Sequence, residues 1–222
     1  MEAARQEEAA RAVAEIEAAE TEGVLEAIKL LFENDTNSSL PPPGLLGQVA
    51  VLTNAGSMTV AALSVQSLEG AGGSTVVYTL EGPRASVEVS SEIREQAPAA
   101  YSEPILLSIT AIDPEASASF QTDDVLAKGR RLAFALKSAA VSVKFRRIDG
   151  TVIPMSGLEP PLKISLDTEA DARCAFWDEE IAKWSPDRVR TLSEESSNST
   201  LVCSTTHLSI FGGVVEAALR LA

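Results

Sequence analysis

The rare residues of this chain are concentrated in one segment. It begins with Cys174-Ala175-Phe176-Trp177-Asp178 and ends with His207-Leu208-Ser209-Ile210-Phe211. Trp184 and Cys203 lie between the two runs. The segment therefore holds both cysteines, both tryptophans and the single histidine of the protein. Such a concentration indicates a specific motif, because an ordinary globular core would scatter these residues along the chain.

Composition places the chain among globular proteins and argues against two classes of partner. Its 222 residues are 45% hydrophobic, enough for a sizeable core in one β domain or two small domains. The formal net charge is -14, which disfavours binding to nucleic acid or to anionic lipid, because the phosphates would not be neutralised. The ordinary consequence of such acidity is solubility.

The sequence contains no apolar run long enough to cross a bilayer. The N-terminus, residues 1–8, is polar and lacks the apolar middle of a signal peptide. If the protein is exported, we therefore expect its signal and its membrane anchor to lie outside this chain. Three Asn-x-Ser/Thr sequons fit a glycosylated exterior, at Asn34, Asn37 and Asn198.

Residues 1–35 are predicted to form a helical segment. Alanine and glutamate dominate residues 2–33 and proline is absent, which favours an α-helix. Gly23 is expected to divide the stretch into two helices, of which the first is the more exposed, and the acidic side chains are expected to be solvated. Apolar residues recur on one face at helical spacing: Val24, Ala27, Ile28 and Leu31.

Residues 36–46 are predicted to be a linker, because Pro41-Pro42-Pro43-Gly44 stiffens the chain after the helix. Beyond it the apolar period changes to two. Short strands separated by turn residues indicate an antiparallel β-sandwich over residues 47–222. The segment from Thr122 to Arg131 is compatible with a loop or a short helix. Strands are predicted at 59–65, 75–80, 86–89, 105–112, 132–136, 141–146 and 160–166.

The run from Cys174 to Phe211 resembles the GPCR proteolysis site, or GPS motif, in the GAIN domain of adhesion receptors and polycystin-type proteins. That motif contains Cys-x-Phe/Tyr-Trp, a second tryptophan, further cysteines and His-Leu-Thr/Ser-x-Phe, and it corresponds to residues 174–215 here. The Phe211-Gly212 ending is more similar to polycystins and sea-urchin egg-jelly receptors. The resemblance implies a GAIN-like sandwich preceded by one or two helices. The aromatic frame of the motif corresponds to Phe176, Trp177, Trp184 and Phe211, for which core packing is also the simplest role.

This resemblance implies that the protein cuts its own backbone between Leu208 and Ser209. His207 would be the base, Leu208 would contribute the scissile carbonyl, and Ser209 would supply the attacking hydroxyl. An imidazole with an ordinary pKa of about 6.5 suits proton abstraction near neutrality. The attack is an N-to-O acyl shift that leaves an ester at Ser209, which water then opens.

The resemblance also implies a disulfide between Cys174 and Cys203, whereas without it two free buried thiols remain an alternative. The family usually has a second bridge. Its two cysteines would fall at Val189 and Thr205, so both members of that bridge are replaced together. No unpaired thiol is left by this departure, although a less rigid cleavage site is expected.

The family context implies a location on the extracellular face of a plasma or ciliary membrane, as part of a larger membrane protein. After cleavage, the partner of the module would be its own C-terminal strand, residues 209–222, and a membrane-spanning region would follow outside this chain. The alternative function is a non-cleaving structural or adhesion module of the same fold, in which the site is a relic.

Other kinds of chemistry find less support in the sequence. It contains neither a Walker-type phosphate loop nor a Gly-x-Ser-x-Gly elbow. The cysteines and the histidine do not follow a zinc pattern, and we expect no cofactor and no metal. The acidic clusters Asp178-Glu179-Glu180 and Glu194-Glu195 leave a calcium site open, with solvated charge as the simpler interpretation.

Overall fold

Two antiparallel sheets, one of ten strands and one of five, face each other in the computed structural model. A long helix lies against the outer face of the larger sheet. The fold is therefore mainly β with an N-terminal helix, as the sequence predicts. The described residues are 2–33, 45–63, 77–90, 92–96, 104–113, 116, 120, 122–126, 130–168 and 172–219.

The larger sheet has the main strand order β1-β2-β5-β8-β15-β11-β12. Three further strands join it at its sides, because β7 pairs with β15, β6 with β7, and β9 with β8. The strands are β1 (Leu45–Thr53), β2 (Gly56–Leu63), β5 (Ile105–Ile112), β6 (Thr122–Leu126), β7 (Arg130–Leu136), β8 (Ala140–Arg146), β9 (Val152–Ile153), β11 (Arg173–Asp178), β12 (Lys183–Ser185) and β15 (Ile210–Leu219).

The smaller sheet has the order β13-β14-β10-β4-β3. A short helix, α2 (Ile93–Gln96), follows β4, and the long helix is α1 (Glu2–Glu33). The strands of this sheet are β3 (Val77–Gly82), β4 (Ala85–Ser90), β10 (Leu162–Asp167), β13 (Val189–Thr191) and β14 (Thr200–Thr205).

The main core lies between the two sheets. Apolar side chains alternate along many of the strands, so that one face of these strands reaches this core. On β8 the inward face is the one that the alternation predicts, Val141, Val143 and Phe145. Side chains that meet them from the smaller sheet include Val87, Val89, Ile164 and Leu166.

Helix α1 is continuous, so the prediction that Gly23 divides it is wrong. A Cβ atom at Gly23 would lie 2.4 Å from Met58 Cε and 2.5 Å from Thr53 Cγ2. The glycine therefore allows the helix to approach the sheet closely. The predicted apolar face around Val24 and Ala27 is buried against the larger sheet.

The first half of α1 is also packed on one face, while most of its described residues are exposed, as expected. Ala9, Val13 and Ile16 are buried in a cluster that contains both tryptophans. These three residues continue the helical apolar stripe towards the N-terminus, and small or branched side chains there allow close packing on the aromatic rings.

A buried ion cluster joins α1 to the larger sheet. Lys144 and Arg146 alternate with apolar residues along β8, yet they are buried because the helix covers them. Glu20 is 0% exposed, and its Oε2 lies 3.0 Å from Lys144 Nζ and 2.9 Å from Arg146 Nη2. Glu17 Oε1 adds a second contact to Lys144 Nζ at 3.0 Å. The expectation that the acidic side chains of the helix are solvated is thus wrong for Glu20.

The segment from Thr122 to Arg131 contains β6 and the start of β7, so the prediction of a loop or short helix is wrong for its described residues. Strand β7 pairs with β15 from Val214 to Leu219, and β6 pairs with β7. The adjacent acidic and basic pairs in this segment disfavour a strand locally. The pairing with an existing long strand overrides that local preference.

Two further predictions concern residues at the edge of the described structure. Strand β1 begins at Leu45, so the last two residues of the predicted linker belong to the sheet. The remaining linker residues and the sequons at Asn34 and Asn37 lie outside the described residues.

Replacing Glu20 with alanine should lower the free energy of unfolding by roughly 3–5 kcal/mol, because two buried cations lose their shared carboxylate. The matched control is Glu15→Ala on the same helix. Its ion pair with Arg11 is largely exposed, at 67% and 81% for the two side chains, and should contribute less than about 1 kcal/mol. Urea unfolding followed by tryptophan fluorescence measures both variants. Equal losses in the two would contradict a role for the buried cluster in docking α1.

Candidate functional site

A disulfide ties the two sheets together close to the motif. Cys174 on β11 and Cys203 on β14 are joined with an S–S distance of 2.07 Å and a Cα–Cα distance of 5.7 Å. The bridge implied by the resemblance is therefore present. In the chain-entropy account, a loop of this size contributes about 3–4 kcal/mol. It fixes β11, which carries Trp177, to β14, which leads to His207.

The two positions at which the family usually has a second bridge lie opposite each other on adjacent strands of the smaller sheet. Val189 on β13 and Thr205 on β14 are direct Cα partners in the antiparallel register. Both side chains are buried. The strands are thus aligned at this point without a covalent link, and the threonine contributes a hydroxyl in its place.

The tryptophans lie on the helix side of the larger sheet. Trp177 and Trp184 have ring centroids 5.6 Å apart in an edge-to-face arrangement, and Phe120 lies 4.8 Å from Trp177. The Trp184 indole N–H donates to the Phe120 carbonyl at 2.9 Å. The sequence motif did not indicate Phe120, which lies far outside it and has no recognisable local pattern.

Strand β15 runs through the middle of the larger sheet. Phe211 pairs with Val141 of β8 on one side and with Phe176 of β11 on the other. Ile210 and Val214 face the helix-side cluster, whereas Phe211 faces the core between the sheets. The prediction of a central strand that is apolar on both faces is confirmed.

Gly212 and Gly213 have close neighbours in the positions that side chains would take. A Cβ at Gly212 would lie 2.6 Å from Leu136 Cδ1 and 3.0 Å from a Trp184 ring carbon. A Cβ at Gly213 would lie 2.9 Å from Leu201 Cδ2. The neighbouring side chains therefore pack directly on the backbone of the strand, which fills the space that two glycines would otherwise leave empty.

His207 is half-buried at the end of β14. Its ring lies 4.5 Å from that of Phe176, edge to face, and 5.8 Å from that of Phe211. The Thr205 hydroxyl oxygen lies 3.1 Å from His207 Nδ1. Burial lowers the pKa of His207 below its ordinary value of 6.5, and the positive charge of Arg188 lowers it further. The imidazole is therefore neutral near pH 7 and available as a base.

Leu208 and Ser209 are held from two sides. Leu208 is partly buried against the core between the sheets. The Ser209 hydroxyl donates to the Trp177 carbonyl at 3.1 Å, and the Ser209 carbonyl accepts from the Val143 N–H at 3.1 Å. His207, Leu208 and Ser209 thus lie in consecutive positions, with the Ser209 hydroxyl bonded to a carbonyl of β11.

The acidic clusters make local contacts. The Asp178 carboxylate accepts from the Glu180 N–H at 3.0 Å, and Glu195 pairs with Lys163 at 2.7 Å. Among the described residues, no group of three or more His, Cys, Asp or Glu side chains could hold a metal ion. Within that same part of the chain, no helix is long and apolar enough to cross a membrane.

A sequence model of the family described as GPS, GAIN subdomain B, matches residues 57–214. No curated protein matches the chain by sequence. The family match runs from β2 into β15 and includes the disulfide, both tryptophans and residues 207–209, without distinguishing polycystins from adhesion receptors. The chain therefore belongs to the GAIN subdomain B family, whose members are extracellular modules of membrane proteins associated with autoproteolysis at a GPS motif.

Proposed function

We propose that this module cuts its own backbone between Leu208 and Ser209 and then retains strand β15 without a covalent link. The observation that carries the proposal is the position of the His207-Leu208-Ser209 run, immediately before a strand buried in the centre of the larger sheet. A cut at that bond would separate the chain just before β15 and leave the new terminal strand paired with its neighbours.

The reaction requires transfer of the Ser209 hydroxyl proton. The hydroxyl hydrogen first leaves the Trp177 carbonyl and passes to the imidazole of His207. The Ser209 oxygen attacks the carbonyl carbon of Leu208, the C–N bond breaks, and the departing nitrogen takes the proton back from the His207 imidazolium to become the Ser209 amine. The resulting ester joins Leu208 to the Ser209 oxygen. Water hydrolyses it to a carboxylate on Leu208 and restores the serine hydroxyl.

Retention of the cut strand follows from its pairing and burial. Strand β15 makes ladder hydrogen bonds with β8, β11 and β7 along successive parts of its length. Ile210, Phe211 and Val214 are buried, and each contributes about 1.5–3 kcal/mol through burial of apolar surface. These interactions do not depend on the Leu208–Ser209 bond.

We further propose that the module lies in the extracellular part of a larger receptor or channel, with β15 leading towards the membrane. Asn198 supports this location, because it is exposed on a bend before β14 and belongs to an intact sequon. Glycosylation there would leave both sheets undisturbed.

A non-cleaving structural module is the second candidate. The observation that favours it is the hydrogen bond from the Ser209 hydroxyl to the Trp177 carbonyl. This bond uses the hydroxyl hydrogen that His207 would have to remove. In that case the same fold would hold an intact chain, and residues 207–209 would serve only to connect β14 to β15.

Mass spectrometry under denaturing conditions separates the two candidates. Self-cleavage gives two fragments that meet at Leu208 and Ser209, whereas the structural module gives one species of 23.4 kDa. Ser209→Ala should abolish cleavage with the fold intact, while Ser209→Thr and Ser209→Cys should keep part of it, because each retains a nucleophile. Unchanged cleavage in Ser209→Ala would contradict the acyl shift.

The rate of cleavage should be level near neutral pH and fall in acid, because a protonated imidazole cannot accept the serine proton. Burial and Arg188 lower the pKa of His207, so the midpoint of this loss should lie below pH 6.5. The precursor can be made by rapid cell-free synthesis and its conversion followed on denaturing gels across a pH series. His207→Ala is the control, since it should cleave slowly and without this transition. A midpoint above 6.5 would contradict the assignment of His207 as the base.

Phe211→Ala should weaken retention of residues 209–222 by roughly 3–5 kcal/mol, because its ring is fully buried between the sheets. Phe32→Ala is the matched control, since that ring is 45% exposed on α1 and should cost less than about 1 kcal/mol. Release of the cut fragment is measured by gel filtration across a urea series. If Phe211→Ala dissociates at the same urea concentration as the unsubstituted chain, burial of β15 does not hold the fragments together.

A further inference from the structure

The Thr205 hydroxyl makes three contacts with the same residue, His207. Its oxygen lies 3.1 Å from Nδ1 of the imidazole, 3.2 Å from the His207 carbonyl oxygen and 3.3 Å from the His207 backbone nitrogen. Thr205 is 1% exposed, so solvent does not compete for these bonds. The histidine is therefore held by one buried hydroxyl that precedes it by two positions.

Counting hydrogens assigns the direction of each bond. A hydroxyl has one hydrogen to donate and two lone pairs to accept with. The His207 carbonyl can only accept, so it takes the hydroxyl hydrogen. The backbone N–H can only donate, so it takes one lone pair. The remaining contact is satisfied only if Nδ1 also donates, which places the imidazole hydrogen on Nδ1.

The other ring nitrogen supports the same assignment. His207 Nε2 is buried and has no hydrogen-bond partner among the described residues. An N–H buried without an acceptor is costlier than a buried lone pair without a donor. The neutral ring is thus better accommodated with its hydrogen on Nδ1 and its lone pair on Nε2.

We propose that Thr205 is a positioning residue that fixes the tautomer of His207, so that Nε2 carries the free lone pair and is the atom that removes the Ser209 proton. This inference rests on the proposed self-cleavage for its purpose, although the tautomer itself can be measured without any cleavage. Thr205 stands where the family usually has a bridged cysteine, and a bridged sulfur has no hydrogen with which to make this set of bonds.

The tautomer can be observed directly, because His207 is the single histidine of the chain. We would label the Ser209→Ala precursor with ¹⁵N, so that the sample is uniformly uncut, and record two-bond correlations of the imidazole above the pKa of the ring. The expected spectrum has a protonated Nδ1 and an unprotonated Nε2. Thr205→Val should lose this pattern, since it keeps the branched shape and removes the hydroxyl, whereas Thr205→Ser should retain it.

Thr200→Val is the matched control, because it makes the same substitution at the other end of β14. Its spectrum should equal that of the parent. A protonated Nε2 in the parent overturns the proposal, and so does a protonated Nδ1 that persists in Thr205→Val. If Thr205→Val does not fold, the parent and Thr205→Ser spectra still decide the tautomer.

A second measurement connects the tautomer to the reaction. In chains that keep Ser209, Thr205→Val should slow cleavage about two- to tenfold, the effect of losing one neutral hydrogen bond, and Thr205→Ser should restore the rate. Full-rate cleavage in a folded Thr205→Val would overturn the role of Thr205. Absence of cleavage in the unsubstituted chain would instead refute the proposed function and leave the tautomer result standing, so the two failures are distinguishable.

Discussion

Strand β15 has to be covered on both faces and paired along both edges, and much of the structure follows from that constraint. The smaller sheet covers one face through Phe211, and the disulfide between Cys174 and Cys203 fixes that sheet to the strand next to β15. Helix α1 and the two tryptophans cover the other face around Ile210 and Val214. A central strand exposed on one face would leave apolar surface in water. Packing of helix α1 over this face of β15 therefore buries apolar surface of both elements.

Strands with a regular apolar period could be predicted from the sequence because their local pattern and their final environment agree. Ile105–Ile112 forms a strand over the predicted residues, and the apolar face of β8 lies where the alternation places it. The pattern failed where a distant element changed the environment. Lys144 and Arg146 look like the solvated face of a strand until α1 brings Glu20 over them. Gly23 resembles a helix break in the sequence. In the structure it lies so close to Met58 and Thr53 that a side chain at this position would clash with them.

The candidate site divides in the same way. The roles of residues 207–209 stay a prediction, but their positions and the disulfide were identified from the motif, which specifies them by order along the chain. The parts that depend on pairing between strands were not. Phe120 reaches the tryptophans across the sheet, and the contact between the Thr205 hydroxyl and the imidazole depends on how the chain turns at the end of β14. The buried carboxylate of Glu20, which contacts Lys144 and Arg146, likewise depends on the position of the helix on the sheet.

The central strand β15 is also the last of the described strands in chain order. Strands β1, β2, β5 and β8 form an antiparallel series, but β15 must return from the C-terminus to pair with β8 and β7 and to complete the sheet. Pairings between residues so far apart along the chain are slow to form, because the chain loses the entropy of loop closure before the stabilising contacts are made. The hydroxyl of Ser209 and the carbonyl of Trp177 meet only when β15 is paired with β11. The local geometry at the Leu208–Ser209 bond therefore depends on complete assembly of the sandwich around β15.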